Sequence, residues 1–216
     1  MKPYGKPARI VALTADWWDQ QYLARRAQGW TIWKDRRLID HVARGVAYLR
    51  PDARILFLAS GAAAGVDALR ERFKGHEKYD TLRWHLQDYS ALALTEAFQR
   101  IGQPAVPATT LSNLDDVRWP FPDGSFDMVI CSEVLEHLEN PTSAILECRR
   151  IVKSNGLIVA TFPIHPELLA DHHRWIFEPK DAWDLFNVGA GQKPRPNSMK
   201  VHHLREGKLI VAIARL

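Results

Sequence analysis

Cysteine is scarce in this chain, and its scarcity excludes two common ways of stabilising a small fold. The 216 residues include two cysteines, Cys131 and Cys148, which are too few for a disulfide framework. Neither belongs to a CxxC or CxxH pair, so the sequence predicts no structural zinc site. The core must therefore come from apolar burial, and 46% hydrophobic residues are ordinary for one globular domain of this length.

Long apolar runs are also missing. No stretch approaches the roughly 20 apolar residues that a membrane-spanning helix needs. Asp16 interrupts the apolar start of the chain, which does not resemble a signal peptide. The net charge is +4, and the lysines and arginines are scattered among acidic residues, so a basic nucleic-acid face is not demanded. We expect a cytoplasmic protein with no membrane span and no nucleic-acid partner.

The first 50 residues differ from the rest in their aromatic content. Trp17 and Trp18 are adjacent, and apolar residues recur at helical spacing before Pro51. We predict an N-terminal helical segment, residues 1–50, that covers the sheet of a second unit, residues 51–216. The two together are expected to form a single compact unit.

Strands and helices alternate from residue 51 onward. FDMVIC, residues 126–131, is a continuous apolar run of the kind found inside parallel sheets. The helix that follows should begin at Asn140-Pro141, and we expect Gly156 to supply its left-handed exit. At the C-terminus, MKVHHL and KLIVAIARL flank REG and predict a β-hairpin. The remaining predicted elements are strands at 54–59, 81–86, 105–111 and 157–162, and helices at 66–73, 91–100 and 181–186.

This alternation predicts an α/β fold, specifically a three-layer α/β/α sandwich. Ligands are expected at the carboxyl ends of its strands. ARILFLASGAAAGVDAL, residues 53–69, reads as a strand, a small-residue turn and a helix, the arrangement that receives nucleotide cofactors. Glycine is sparse in that turn, and a tight turn without a ligand is an equally good interpretation.

A longer motif lies at residues 119–163, WPFPDGSFDMVICSEVLEHLENPTSAILECRRIVKSNGLIVATFP. It resembles the class I S-adenosylmethionine-dependent methyltransferases, in particular the small domains with an LPFPDxSFDxVxxxxVLEHL signature. The resemblance covers about a fifth of the chain nearly without gaps. It implies a Rossmann-like, mostly parallel seven-stranded sheet in the order 3-2-1-4-5-7-6 with an antiparallel last strand, and S-adenosylmethionine as cofactor.

The first cofactor motif of that family, hLDxGCGxG, aligns with residues 55–63. Phe57 stands where the family has an acid, and Ala59 and Ala63 stand at two of the three glycine positions. Gly61 is retained. Backbone that approaches a ligand closely favours glycine, so this loop is the main departure from the family pattern. The resemblance still assigns cofactor contacts to Ala59, Ser60 and Gly61.

Further contacts follow from the same resemblance. WHLQDYS, residues 84–90, matches a hxGxDxS pattern that places Asp88 at the ribose hydroxyls, although capping of the next helix is an alternative role. Asp115, with Asp116 beside it, aligns with the acid near the adenine amino group, the alternative being a solvated pair in a loop. Cys131 and Glu133 would line the site beyond the fourth family strand.

Histidines supply the candidate catalytic residues, since methyl transfer needs a base only where the acceptor must lose a proton. His137, His165 and His172 are the candidates, with His173 adjacent. SEVLEH also resembles the E-x-x-E-H motif of metal-dependent relatives, in which Glu133, Glu136 and His137 would hold a divalent ion, and DHHRWIFEP, residues 171–179, could supply a further histidine. These three residues share a face if their segment is helical, but VLEHL also occurs widely without a metal.

Three functions remain open at this level. The first is a methyltransferase that acts on a hydroxyl or similar group of a small-molecule acceptor, lipid or sugar. The second is a catalytically inactive methyltransferase fold that serves as a binding or partner subunit, and a homodimer is not excluded. The third is an RNA or DNA methyltransferase, although the Asn-Pro-Pro-Tyr motif of base-amine enzymes is missing.

Overall fold

The computed structural model describes residues 6–7, 13–27, 32–101, 108–164, 172–187, 199–204 and 207–216. The helices are α1 Ala15–Ala27, α2 Arg36–Ala47, α3 Ala64–Arg72, α4 Glu77–Asp80, α5 Ala91–Ile101, α6 Pro141–Ile151 and α7 Pro179–Asn187, with a short 3-10 helix at Ile32–Lys34. The strands are β1 Lys6–Pro7, β2 Arg54–Leu58, β3 Arg83–Asp88, β4 Ala108–Leu111, β5 Phe126–Ser132, β6 Val152–Pro163, β7 Trp175–Ile176, β8 Met199–Leu204 and β9 Leu209–Arg215.

Seven strands form one sheet in the order β4-β3-β2-β5-β6-β9-β8. The first five are parallel to one another, while β9 is antiparallel to β6 and β8 is antiparallel to β9. The predicted strand order and the C-terminal antiparallel hairpin are therefore confirmed. A separate two-stranded pair joins β1 to β7, so Lys6–Pro7 lies beside the segment that precedes α7.

Alternate residues of the strands face opposite layers of helices, as the period of a β-strand requires. Leu56 and Leu58 of β2 belong to the core that packs against α6 and α7. Ile55 and Phe57 belong to the core that packs against α2, α3 and α5. The three-layer sandwich is confirmed.

Helix α2 belongs to the second of these layers. Its Leu38, Val42 and Val46 are fully buried in the same core as β2. Its Gly45 allows a close approach to the sheet, since an added Cβ would lie 3.1 Å from Cε of Met128. A boundary between residues 1–50 and 51–216 stays a prediction.

The start of α6 agrees with the sequence analysis, and its end does not. Asn140 accepts a hydrogen bond from the backbone N–H of Ser143 at 3.1 Å, and Pro141 occupies the first turn. The helix ends at Ile151, and the positive φ of 64° falls on Asn155 rather than Gly156. Gly156 is needed for a different reason, because an added Cβ would lie 2.7 Å from Cγ2 of Val152.

Other boundaries moved by a few residues. β3 begins at Arg83, two residues later than predicted. β4 is described over Ala108–Leu111, and residues 105–107 of the predicted strand lie outside the described residues. Within the described ranges, none of the helices combines the length and apolar character that crossing a membrane requires.

Candidate functional site

A cavity of about 170 Å³ opens at the carboxyl ends of β2, β3, β4 and β5. Parallel pairing brings these ends together, with Leu58 beside Cys131 and Asp88 beside Leu111. Helix α1 forms one wall of the cavity. The lining residues are Leu13, Trp18, Gln21, Tyr22, Ala59, Gly61, Gln87, Asp88, Tyr89, Ser90, Ala93, Asn113, Leu114, Asp115, Glu133, Val134, His137 and Leu138.

The loop after β2 keeps the backbone conformation of a glycine-rich loop although two of its glycine positions hold alanine. Ala59, Gly61 and Ala63 have φ values of 43°, 53° and 60°. An L-residue pays about 1–2 kcal/mol for this left-handed region. Both alanines thus hold a backbone conformation that favours glycine, and strain of this kind concentrates at functional sites.

The end of β3 holds this loop in place. The carboxylate Oδ2 of Asp88 accepts the backbone N–H of Gly61 at 2.8 Å, and the side-chain Oε1 of Gln87 accepts that of Ala59 at 3.1 Å. The backbone N–H of Ser60 donates to the carbonyl of Gln87 at 2.9 Å. Each of the three residues expected to contact a cofactor here is therefore anchored through its backbone.

Phe57, the residue at the acid position, lies in the core and not in the cavity. Its side chain is buried, and its ring lies 5.5 Å from that of Trp33. Gly65 makes room for both rings, because an added Cβ would lie 2.6 Å from Cζ of Phe57. The substitution removes a charge near the loop without placing an aromatic ring in the cavity.

Asp88 is buried beneath the cavity. Burial raises the pKa of its carboxyl, hydrogen bonds from Ser90 and Gly61 oppose the rise, and the charge of Asp19 adds to it. The helix-capping role considered as an alternative belongs to Ser90, whose hydroxyl accepts the backbone N–H of Ala93 at 2.9 Å. Ser90 also donates a short hydrogen bond to Asp19 of α1.

Asp115 and Glu133 line the cavity from the loops after β4 and β5. Asp115 Oδ1 accepts the backbone N–H of Glu139 at 2.7 Å, and partial burial raises the pKa of its carboxyl. Glu133 has a positive φ of 54°, and its carboxylate accepts a hydrogen bond from the hydroxyl of Thr161 at 3.2 Å. Both carboxylates are thus held at the cavity by hydrogen bonds, Asp115 from the turn after β5 and Glu133 from strand β6.

Three of the predicted cofactor residues do not line the cavity. Ser60 is buried behind the loop, Asp116 is exposed, and Cys131 is fully buried in the core against α6. Burial raises the pKa of the Cys131 thiol well above its usual range. His165, one of the candidate bases, lies outside the described residues.

Residues 133–139 form a turn and not a helix, so Glu133, Glu136 and His137 do not share a helical face. His137 joins a group of rings that we call the His–Trp cluster: Trp17, Trp18, His137, His172 and His173. The His137 and His172 rings stack with centroids 5.0 Å apart, and the His173 ring lies 4.8 Å from that of His137. Trp18 packs edge-on against His137 at 5.0 Å.

The metal donor set suggested by SEVLEH is not the set that the fold brings together. Within the described ranges, the group of side chains whose ligand atoms lie close enough to share an ion is His137, His172 and His173, all within 4.8 Å of one another. Glu133 and Glu136 are not part of this group. Glu136 is buried, with its Oε1 at 3.8 Å from Nε2 of His137.

Sequence reasoning did not single out Gln87 or Gln21, which both line the cavity. Gln87, fully buried, also donates from Nε2 to the carbonyl of Ser112 at 2.7 Å, so that it joins the loops after β2 and β4. Its position beside Asp88 in WHLQDYS was the available signal. Gln21 and Tyr22 of α1 line the cavity as well. The helical spacing of aromatic residues does not by itself show which face of α1 lies against the cavity.

Residues 58–160 match the methyltransferase domain family. A probable S-adenosylmethionine-dependent methyltransferase of Mycobacterium tuberculosis is 30% identical over 35% of this chain and 26% of its own length. A ubiquinone biosynthesis O-methyltransferase of Acinetobacter baumannii is 23% identical over 84% of this chain and 80% of its own length. A second protein of that name, from Alkalilimnicola ehrlichii, is 27% identical over 70% of this chain and 56% of its own length.

A solved structure shares the fold over nearly the whole chain. It comes from a complex between the Trm112 methyltransferase activator of Haloferax volcanii and a methyltransferase, with a TM-score of 0.68, 14% identity, and coverage of 96% of this chain and 99% of the other. The sheet order and the cavity define a protein of the Rossmann-like methyltransferase class. Residues 58–160 form a methyltransferase domain, and the fold around them is that of the class I S-adenosylmethionine-dependent methyltransferases.

Proposed function

We propose that this chain transfers the methyl group of S-adenosylmethionine to a hydroxyl or similar group of a small molecule, lipid or sugar. The observation that carries the proposal is the convergence of Gly61, Asp88 and Asp115 on one cavity at the carboxyl ends of the parallel strands. An oxygen acceptor is supported by the names of the O-methyltransferase relatives.

The cofactor contacts follow from the hydrogen bonds that remain available in this cavity. Each carboxylate oxygen of Asp88 accepts one backbone N–H, from Gly61 or Ser90. A carboxylate has about four acceptor sites, so Asp88 retains capacity for ribose hydroxyls. Asp115 lies in the loop after β4, where its carboxylate would accept a hydrogen bond from the adenine amino group of the cofactor. The backbone of residues 59–61 would contact the methionine part of the cofactor.

Methyl transfer requires the protein to position the acceptor and to remove water from it, because the sulfonium of the cofactor itself supplies the reactive methyl group. Trp18, Gln21 and Tyr22 of α1 cover the cavity, and Tyr22 is fixed by a hydrogen bond from its hydroxyl to Glu96 at 3.0 Å. We assign α1 the role of a lid over the acceptor. Of the candidate bases, His137 lines the cavity.

A non-catalytic partner subunit is the second function that we propose to test. Ala59 favours it, since its methyl group occupies a position that glycine would leave open to the ligand. The methyltransferase from Haloferax volcanii was solved together with an activator protein. A chain of this kind would keep the fold while losing affinity for the cofactor.

Calorimetric titration with S-adenosylmethionine and S-adenosylhomocysteine tests the first proposal. Saturation at a hundredfold the dissociation constant stabilises a protein by about 2.7 kcal/mol, which raises the melting midpoint of a chain of this size by about 5–10 °C. Absence of binding at millimolar ligand would contradict the enzyme and favour the partner subunit.

Asp88→Asn is the diagnostic variant, with Asp116→Asn as its matched control. Asn has one acceptor oxygen in place of the carboxylate pair, so the variant should bind S-adenosylhomocysteine at least tenfold more weakly, about 1.4 kcal/mol. Asp116 is exposed outside the cavity, and its variant should bind normally. Equal affinities of both variants and the parent chain would refute the assignment of Asp88 to the ribose.

A further inference from the structure

Positively charged side chains from separate segments of the chain meet on the α2 side of the sheet. One face of α2 and its C-terminal cap carries side chains at i, i+4, i+7 and i+11, namely Arg37, His41, Arg44 and Tyr48. Residues at this spacing return to the same side of a helix. His41 is half-buried, and the other three side chains are exposed.

The neighbouring edge of the sheet is positively charged on the same side. Leu204 of β8 and Val211 of β9 belong to the core that contains the buried face of α2. Because alternate residues of a strand share a face, Lys200 and His202 of β8 and Arg215 of β9 also lie on the α2 side. We call the cationic side chains of both elements the basic strip: Arg37, His41, Arg44, Lys200, His202 and Arg215.

The two halves of the basic strip are in contact. The rings of His41 and His202 lie with their centroids 4.7 Å apart. Burial lowers the pKa of His202, and the nearby positive charges of His41, Arg44 and Lys200 lower it further. The cationic groups of α2 and β8 are therefore close enough to act on one another.

These cations lack acidic partners. Among the residues that the structure describes, Arg37, Arg44 and Lys200 form no ion pair. Asp40, the acidic residue within α2, pairs instead with Arg72 at 2.8 Å. Like charges gathered on one face raise the local positive potential and attract anions.

We propose that the basic strip binds single-stranded nucleic acid through its phosphate groups. The distance along α2 from Arg37 to Tyr48 is about 16 Å, and phosphates recur about every 3.4 Å along one strand of a helix. The strip can therefore meet about four phosphates. Its permanent cations are Arg37, Arg44, Lys200 and Arg215, and their number equals the net charge of +4 of the whole chain.

Tyr48 favours nucleic acid over an acidic protein segment as the partner. Its side chain is 71% exposed, and the guanidinium of Arg215 lies 5.5 Å from the centroid of its ring. An exposed aromatic ring beside cations offers a stacking surface to an unpaired base. A carboxylate side chain has no flat surface to stack on this ring.

The proposal goes beyond methyl transfer and does not depend on it, because none of the strip residues lines the cavity. It departs from the expectation, based on scattered charges in the sequence, that the chain has no nucleic-acid partner. The charges are scattered along the chain but adjacent in the fold, since α2 and β8 are separated by about 150 residues of sequence.

The test is fluorescence anisotropy of a labelled oligouridylate of about 12 nucleotides, a length within the usual site size for single strands. Four phosphate contacts predict a slope of about −3 for log K against log salt concentration. The affinity of the parent chain should therefore fall about 50-fold between about 50 mM and about 200 mM salt.

Arg44→Gln/Lys200→Gln is the diagnostic variant. It removes two phosphate contacts, so the slope should fall to about −1.4 and binding at low salt should weaken at least tenfold. The matched control is Arg83→Gln/Arg100→Gln, which changes the net charge equally at exposed arginines that are paired with acids outside the strip. The control should bind like the parent.

Tyr48→Leu tests the stacking surface separately from charge. The variant should bind the oligouridylate at least fivefold more weakly with the slope unchanged, because no charge is lost. Phe98→Leu, at an aromatic side chain of α5 that is 46% exposed, is its control and should bind like the parent.

Several results would overturn the proposal. A parent chain that does not bind at about 50 mM salt does so, as does equal binding by the diagnostic variant and its charge control. Displacement of the oligouridylate by poly-glutamate at equal charge assigns the strip to an acidic protein segment instead. Tighter binding of duplex DNA or of anionic lipid vesicles likewise removes the single strand as the partner.

Folding and cofactor binding are checked on the same variants. Arg44 and Lys200 are exposed, so the melting midpoint and the affinity for S-adenosylhomocysteine should match the parent. If the double variant melts early, Arg37→Gln at another exposed position decides the matter, and an unchanged slope in that variant refutes the strip. Loss of cofactor binding in the parent would refute methyl transfer and leave the strip standing.

Discussion

Replacing Ala59 with glycine should stabilise this protein, contrary to the usual effect of glycine in a folded chain. Ala59 has a φ of 43° and an exposed side chain. Glycine carries no steric penalty in the left-handed region, so this replacement stabilises the folded chain by about 1–2 kcal/mol. The larger conformational freedom of glycine in the unfolded chain costs about 0.5–1 kcal/mol. The net gain is therefore about 0.75 kcal/mol, within limits of about 0 and 1.5 kcal/mol.

Ala63 provides an internal comparison. Its φ of 60° carries the same strain, but its methyl group is 1% exposed. Loss of a buried methyl group costs about 0.8 kcal/mol, which offsets the gain from strain relief. Ala63→Gly should therefore leave stability nearly unchanged, and the double variant should match the sum of the two single effects only where the two sites do not interact.

Thermal unfolding followed by circular dichroism measures these effects, since 1 kcal/mol shifts the midpoint of a chain of this size by about 2–4 °C. Ala59→Gly should raise the midpoint by about 1–4 °C. The control is Ala24→Gly, at an exposed position within α1, which should lose about 0.5–1 kcal/mol. A midpoint that falls in Ala59→Gly as much as in the control would refute the argument from strain.

Two further predictions concern polar side chains of β3, the buried Gln87 and the half-buried His85. Gln87→Leu leaves two backbone groups of the neighbouring loops without their partner and should cost about 2–4 kcal/mol in denaturant unfolding, whereas the same change at exposed Gln99 should cost little. Burial and the nearby charge of Arg54 lower the pKa of His85 to about 4; because the unfolded chain binds this proton first, stability should fall as pH drops from about 6.5 towards 4. The melting midpoint of His85→Gln should therefore fall less between these pH values than that of the control variant His76→Gln. If the midpoints of both variants fall equally with pH, the loss of stability does not come from His85.

The cavity shows why a weakened sequence motif need not mean a lost site. The first family motif retains one of its three glycines, yet Ala59 and Ala63 adopt the conformation that glycine would. Asp88 and Gln87 on the next strand hold that loop through its backbone N–H groups. Backbone geometry at a site therefore depends on hydrogen bonds from neighbouring strands as much as on the residues of the loop itself.

The succession of strands and helices, the two faces of the sheet and the C-terminal hairpin could be read from the sequence alone. Each depends on local periodicity: continuous apolar runs for buried strands, the Asn-Pro cap of α6, and paired strands about a short turn. The family resemblance also placed Asp88, Asp115 and Glu133 at the site, and the parallel strands bring the segments that carry them to one edge of the sheet.

Tertiary structure alone decided the rest. SEVLEH has the spacing of a helical face, but tight pairing of β5 with β6 and the positive φ of Glu133 turn the chain there. Hydrogen bonds between that turn and residues 174–175 then bring His137 together with His172 and His173. Their proximity depends on contacts between segments far apart in the chain, and local sequence patterns carry no information about such contacts.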